Sequence, residues 1–214
     1  MKDLFMESFY GLELRDRKGR IIEKLPLRPS HSFVKNFYNY YVSNLLAMTP
    51  SEANDLDFRR TTGAVHTTYT YLSTQQRNWR GVELTQADAG ILCGSGNTAE
   101  NFGMGAAPDA MSYKLDTIIL NGITAGTLER AATAQHVITK DGGSPINTWT
   151  ITWERYFNNK SGGDVIVREI GMYAALTTAM WAMFCRDVLA SPLTINDTGQ
   201  LKVTYALSLP FPAA

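Results

Sequence analysis

Residue types that do chemistry are thinly spread in this chain, and their spacing is the first thing to weigh. The three histidines, His31, His66 and His136, form no H-x-H or H-E-x-x-H pair. Such spacings put two imidazoles on one side of a strand or helix, where they can hold zinc or back a nucleophile. Cys93 and Cys185 lie far apart and make no C-x-x-C motif, so they read as two buried free thiols. The turn GSGN (94–97) has the look of a phosphate cradle. A nucleotide fingerprint needs further glycines at fixed offsets and a helix start facing the phosphate, and here Pro108 and small residues follow instead. Asp55 and Asp57 sit in polar sequence and read as a solvated surface, not an acid/base dyad. The sequence predicts no catalytic, cofactor-binding or metal site, and no enzyme.

One stretch concentrates charge where a sheet is expected. RYFNNKSGGDVIVREIGMYAAL (155–176) reads as a strand, a polar Gly-rich hairpin turn and a second strand, with Arg155, Arg168 and Glu169 inside it. Arg186 and Asp187 repeat the juxtaposition on the next strand. A charge on a half-buried sheet face is costly unless paired, and a guanidinium can satisfy a carboxylate with two hydrogen bonds. These five residues are therefore read as an ion-pair set that fixes strand register, with subunit contacts as the alternative use. Strict alternation sends Arg168 and Glu169 to opposite faces and sets Arg155 among aromatics.

The elements that must position these charges are mostly strands. FYGLELRDRKGRIIEKLPL (9–27) predicts a hairpin around Lys18 and Gly19, with Pro26 and Pro29 ending the pairing. SHSFVKNFYNYYVSNLLAM (30–48) predicts a helix capped by Ser30 or Ser32 and stopped at Thr49-Pro50. Its stripe is Phe33, Phe37, Tyr41 and Leu45, widened by Val34, Tyr38 and Leu46, with Asn36 and Asn39 outside it. That face must be buried against the sheet or against a neighbouring copy.

Residues 51–89 read as a long loop or insertion with one or two short strands, and 90–214 as the core of the domain. Within that core, LDTIILNGI and TLERAATAQHVITK predict strands, and GGSP (142–145) a break. INTWTITWERYF puts Trp149, Ile151, Trp153 and Phe157 on one face. QLKVTYALSL turns Leu201, Val203, Tyr205, Leu207 and Leu209 inward. Strands at this spacing predict a mainly β chain: an antiparallel β-sandwich or jelly-roll-like domain with one N-terminal amphipathic helix on residues 1–50, one domain overall.

Bulk properties set outer limits. Lysine plus arginine equals aspartate plus glutamate at 20 each, which gives no electrostatic reason to expect nucleic acid. The N-terminus lacks an apolar signal-peptide region, and the longest apolar run, MYAALTTAMWAMFC, is too short to span a bilayer. The expectation is a soluble protein of a cytoplasm, with no membrane partner. Met172, Met180 and Met183 read as core filling ahead of adaptable contacts.

The segments GSGNT, LDTIILNGITAGTL, TITWERYFNNKSGGDVIVREIGMY and MFCRDVLASPLTINDTGQLKVTYALSL, in that order, resemble a family of tailed-bacteriophage virion proteins. In that family an R-x-F-x-N-x-S-G fold-back precedes an E-I-G-L-Y strand, then R-D-V-L and a final V-T-Y-x-L strand; here Met172 stands where Leu is usual. The likeness covers most of residues 90–209, residues 9–46 loosely, and 51–81 not at all. It implies a non-enzymatic, oligomeric component of the neck, tail or baseplate that connects or holds fibres. It also implies assembly in the host cytoplasm, no cofactor, and partners that are other copies of the chain and other virion proteins. One alternative is a capsid decoration protein on the head surface. Another is a receptor- or glycan-binding module, with Tyr71 and Trp79 stacking on sugar rings. Candidate partner contacts are Phe33, Phe37 and Tyr41 on the helix, and Tyr71 and Trp79 in the long segment.

Overall fold

The computed structural model describes residues 6–30, 33–45, 58–66, 89–100, 113–134, 136–143, 146–177 and 180–212. Its elements are β1 (Glu7–Arg15), β2 (Ile21–Pro29), α1 (Lys35–Leu45), β3 (Phe58–Arg59), β4 (Val65–His66), β5 (Gly90–Gly94) and β6 (Glu129–Arg130). They continue with β7 (Val137–Gly143), β8 (Ile146–Asn158), β9 (Val165–Thr177), β10 (Met180–Ile195) and β11 (Gln200–Pro212). Two antiparallel sheets pack together as a β-sandwich, as expected. The large sheet runs β2-β1-β11-β8, with β6 and β7 both on the far side of β8; the small sheet runs β10-β9-β5. Strands β3 and β4 make a two-residue hairpin of their own within the long segment. Among the described residues no helix is long and apolar enough to cross a membrane.

The inner face of the large sheet is built in rows across three strands. Leu14, Leu201 and Phe157 form one row, Leu12, Val203 and Arg155 the next, and Tyr10, Tyr205 and Trp153 a third, all buried. The alternation read in β8 and β11 produces these rows directly, because a period of two puts every second side chain on the same face. The small sheet is covered on both faces around β5, whereas its far end leaves Ile166 and Thr194 exposed. Ile91, Cys93, Ile170, Met172 and Phe184 belong to the main core, while Leu92, Leu115, Tyr173, Met183 and Val34 form a second apolar cluster behind it. Burial on both sides explains why GILCG is buried at every position instead of alternating. Cys93 and Cys185 are free and buried in the main core, and Met172 and Met183 fill core positions.

Several local expectations change. The N-terminal hairpin is not an addition to the sandwich, since β1 lies between β2 and β11. Pro29 ends β2, but Pro26 sits inside it, tolerated because β2 is an edge strand whose register with β1 slips between Tyr10 and Leu12. LDTIILNGI forms no continuous strand, only isolated bridges at Ile118 and Asn121. The helix packs in cis on β10: Val34 donates its N–H to the Phe184 carbonyl, and Phe37 meets the Phe184 ring edge-on at 6.0 Å. Asn36 and Asn39, expected outside the stripe, are buried. The Asn36 amide gives and takes main-chain hydrogen bonds with Arg59 (2.8 and 2.9 Å) and reaches the Met183 carbonyl, so its polarity ties β3 to β10.

The 155–176 hairpin is the largest change. β8 belongs to the large sheet and β9 to the small one, so the polar NNKSGG segment is a corner joining the two layers. Asn159 makes it. Fully buried, its amide donates to the carbonyls of Gly163 and Ile195 (2.7 Å each) and accepts from the Ser161 N–H, while its backbone pairs with Thr198 and Gly199. Gly162 supplies the left-handed φ of 79° that the corner requires.

Candidate functional site

The five charges singled out from the sequence do not form one ion-pair set. The structure resolves them into separate arrangements, each closing a different part of the sandwich.

Glu169 and Arg186 pair at 2.8 Å, with 0% and 3% of their side chains exposed. The Glu169 carboxylate also accepts the main-chain N–H groups of Asp116 (3.1 Å) and Thr117 (2.9 Å). Arg186 donates onward to the carbonyls of Thr98 (2.8 Å) and Ala99 (3.4 Å). Two loops, 95–100 and 113–118, are thereby fastened to β9 and β10. The Glu100 carboxylate accepts the Val188 N–H, and the Tyr173 hydroxyl accepts the Leu115 N–H. Burial pushes the Tyr173 phenol well above its ordinary range. The glycines of the apparent phosphate turn are explained here. A Cβ on Gly94 would stand 2.4 Å from the Glu169 Oε1, and one on Gly96 would stand 2.5 Å from Asp116. Gly94 lets the backbone pass over the buried Glu169 carboxylate, and Gly96 lets it pass over the exposed Asp116.

Asp187 is fully buried and accepts the Tyr205 hydroxyl of β11 (2.8 Å) and the Ser30 hydroxyl (2.9 Å). It links β10 to the large sheet across the core. Burial, then the nearby Asp187 charge, drives the Tyr205 phenol well above its usual range, so the phenol stays a donor.

Arg155 is among the largest fully buried side chains of the described residues. It lies on the aromatic face, as alternation predicted, but its bonds run to main-chain carbonyls: Ala131 (2.7 Å), Ala89 (2.7 Å) and Ile91 (2.9 Å). β5 ends the small sheet, and its outward carbonyls need donors. Arg155 serves Ala89 and Ile91 from the opposite layer, and the Ile119 N–H serves Cys93. Arg168 is half-buried, and its side chain makes no hydrogen bond or ion pair with the described residues. β9 buries Val165 and Val167, then Ile170 and Met172, so its alternation changes phase beside Arg168 and Glu169. β10 bulges at the same level, between Val188 and Leu193.

Sequence reasoning missed Arg130, Asn159 and Asn36. Arg130 is buried, donates to the Ile119 carbonyl, and has its N–H held by the Asn121 side chain (2.8 Å). Its signal was weak: a single arginine in TLERAATAQ with no periodicity around it. Of the candidate contact residues, Phe37 is buried, Phe33 is half-buried and stacked on it at 3.9 Å, and Tyr41 is 51% exposed. Tyr71, Trp79, Asp55, Asp57, His31 and Ser32 lie outside the described residues, as does most of 51–89. Among the described residues, no group of three or more His, Cys, Asp or Glu side chains could hold a metal ion.

Chemically, then, the buried carboxylates face N–H and O–H donors that anchor loops, hydroxyls and strands. A cleft of about 210 Å³ opens at the β2 side, between β1, β2 and residues 189–193, lined by Leu12, Leu14 and Leu25 with Glu23 and Arg28. Comparison with known proteins finds no family model, no curated protein and no solved structure that matches this chain.

Proposed function

We propose that the chain is a non-enzymatic structural subunit of a tailed-phage particle, sited in the neck, tail or baseplate and held there by contacts with its own copies and other virion proteins. The likeness of residues 90–209 to phage virion proteins supports the phage setting. The observation that carries the assembly reading is the overhang of the large sheet. Beyond the three buried rows, its inner face continues through Leu207, Ile151 and Ile138, then Leu209, Trp149 and Lys140, and on to Phe211. Burial falls along these rows until Ile138 is 58% and Trp149 48% exposed. Trp149 and Phe211 meet edge-on at 5.4 Å, a formed aromatic surface facing outward. An apolar surface that continues a core is the kind that protein partners cover.

Cryo-EM of the parent particle, with this chain fitted to the map, tests the reading. Density at the neck, tail or baseplate is expected and would name the neighbours. Density across the capsid lattice would make the chain a decoration protein instead. Absence from the particle would end both.

A further inference from the structure

Among the described residues, the large sheet ends on β2 at one edge and, at the other, on β6 and β7, which pair with successive stretches of β8 and with nothing beyond it. Open edges are usually blunted, because their unpaired N–H and C=O groups invite another strand. Here each edge carries two adjacent apolar residues that are more than half exposed, Ile21 and Ile22 on β2, Val137 and Ile138 on β7. Each edge then carries two opposite charges in succession, Glu23-Lys24 and Lys140-Asp141, all exposed. Among the described residues none of these four has an ion partner, and Lys140 sets its ammonium over the Phe211 ring, 5.8 Å from the centroid.

Strand direction and face decide how such edges can meet. Every pairing from β2 through β1, β11 and β8 to β7 is antiparallel, so β2 and β7 point the same way. Copies placed head to tail around an axis along the strands therefore bring β7 against the next β2 in parallel. Glu23 lies opposite Leu14 and Lys140 opposite Trp149, on the core-facing side. Lys24 lies opposite Glu13 and Asp141 opposite Thr148, on the other side. A parallel joint that sets Lys140 beside Glu23 of the neighbouring copy also sets Asp141 beside its Lys24. Each face of the joint then gains an opposite-charge pair, and Ile138 and Thr139 fall beside Ile21 and Ile22. An antiparallel joint with the same first pair leaves Asp141 facing Ile22 and Lys24 facing Thr139. Pairing β2 with a second β2 never sets Glu23 opposite Lys24, because the two lie on opposite faces.

We infer that the occupant of both edges is a second copy of this chain, joined head to tail, β7 to β2 in parallel, so that the large sheet continues from copy to copy. Pro26 lacks an N–H and limits the joint to the Ile21–Leu25 part of β2. The inference rests on the reading of the chain as an assembling subunit, but its test reads the joint alone.

Sedimentation of the full chain over a concentration series is the experiment, with circular dichroism confirming that each variant is folded. The wild type is expected to associate. Lys140→Glu and Glu23→Lys each place like charges in the joint and should weaken association by about tenfold or more. The double variant should recover it, and so should an equimolar mixture of the two single variants, in which every joint between unlike copies is again charge-matched. A wild-type monomer throughout the series overturns the joint and leaves the particle reading to cryo-EM. Association that the single variants do not weaken, or that neither the double variant nor the mixture restores, overturns it as well.

Discussion

Around Glu169–Ala174 the small sheet is closed on both faces, by the main core on one side and by loops 95–100 and 113–118 on the other, and its buried charges are bound within the chain. The large sheet is closed on one face for three rows, then runs out with Ile138 and Trp149 exposed, Phe211 half-buried and two edges open. Charge is placed accordingly: Glu169, Arg186 and Asp187 are interior residues of the small sheet, whereas Glu23, Lys24, Lys140 and Asp141 stand on the rim of the large one. In this molecule buried charge holds the fold, and it is the exposed apolar surface that the assembly proposal assigns to partners. The usual guess, that unusual charges in a strand mark a working site, is reversed.

The sharpest way to break that contrast is Glu169→Ala. Removing the carboxylate strands Arg186 in a buried site and frees two loop N–H groups, so a loss of about 3–5 kcal/mol is expected in urea unfolding. An unchanged midpoint would mean that the small sheet is not held by its charges. High pH probes the same interior. Burial pushes the Cys93 thiol up to about 12 from an ordinary 9, and raises Cys185 and Tyr205 as well. The neutral forms are the ones the fold keeps, so this contribution is whole below about pH 9 and is lost as pH climbs and the unfolded chain ionises. For Cys93 alone the full shift corresponds to about 4 kcal/mol, and thermal scans from pH 8 to 11 should show a progressive fall. A flat profile would mean that these groups are solvated.

Arg155→Met removes the donors for the Ala89, Ile91 and Ala131 carbonyls and should cost about 3 kcal/mol. A loss within 0.5 kcal/mol, about that of a surface change, would show that the β5 edge does not depend on the opposite layer. Smallest in the isolated chain is Trp149→Ser on the overhang, expected to shift stability by less than about 0.5 kcal/mol. Its effect should appear in light scattering as weaker self-association. A large loss of stability there would mean that the overhang belongs to the core.

Some of this was legible from residues alone, for physical reasons. β8 and β11 alternate cleanly, and the period of two carries their burial pattern without help from neighbours. Asp16, Lys18 and Gly19 set the β1–β2 turn through local bonds, with the Asp16 carboxylate accepting the N–H groups of Lys18 and Arg20. The corner at Asn159 was misread because a hairpin turn and an inter-sheet corner use the same residue types. What separates them is whether the next strand finds β8 or β10, and that contact is remote in sequence. Arg155 was placed on the correct face but given the wrong partner, since the carbonyls it needs lie on an edge defined only once the small sheet exists.

The sequence by itself determined the class of fold, the strands of both layers that alternate or run apolar, the N-terminal hairpin and the presence of one helix. Each of these follows from side-chain periodicity and turn chemistry within a few residues. The tertiary structure decided which strands share a sheet, why Gly94 and Gly96 must be glycine, and which charges are interior. Those depend on contacts between residues such as Ser30 and Asp187, or Arg155 and Ala89, whose separation along the chain hides them from any local pattern.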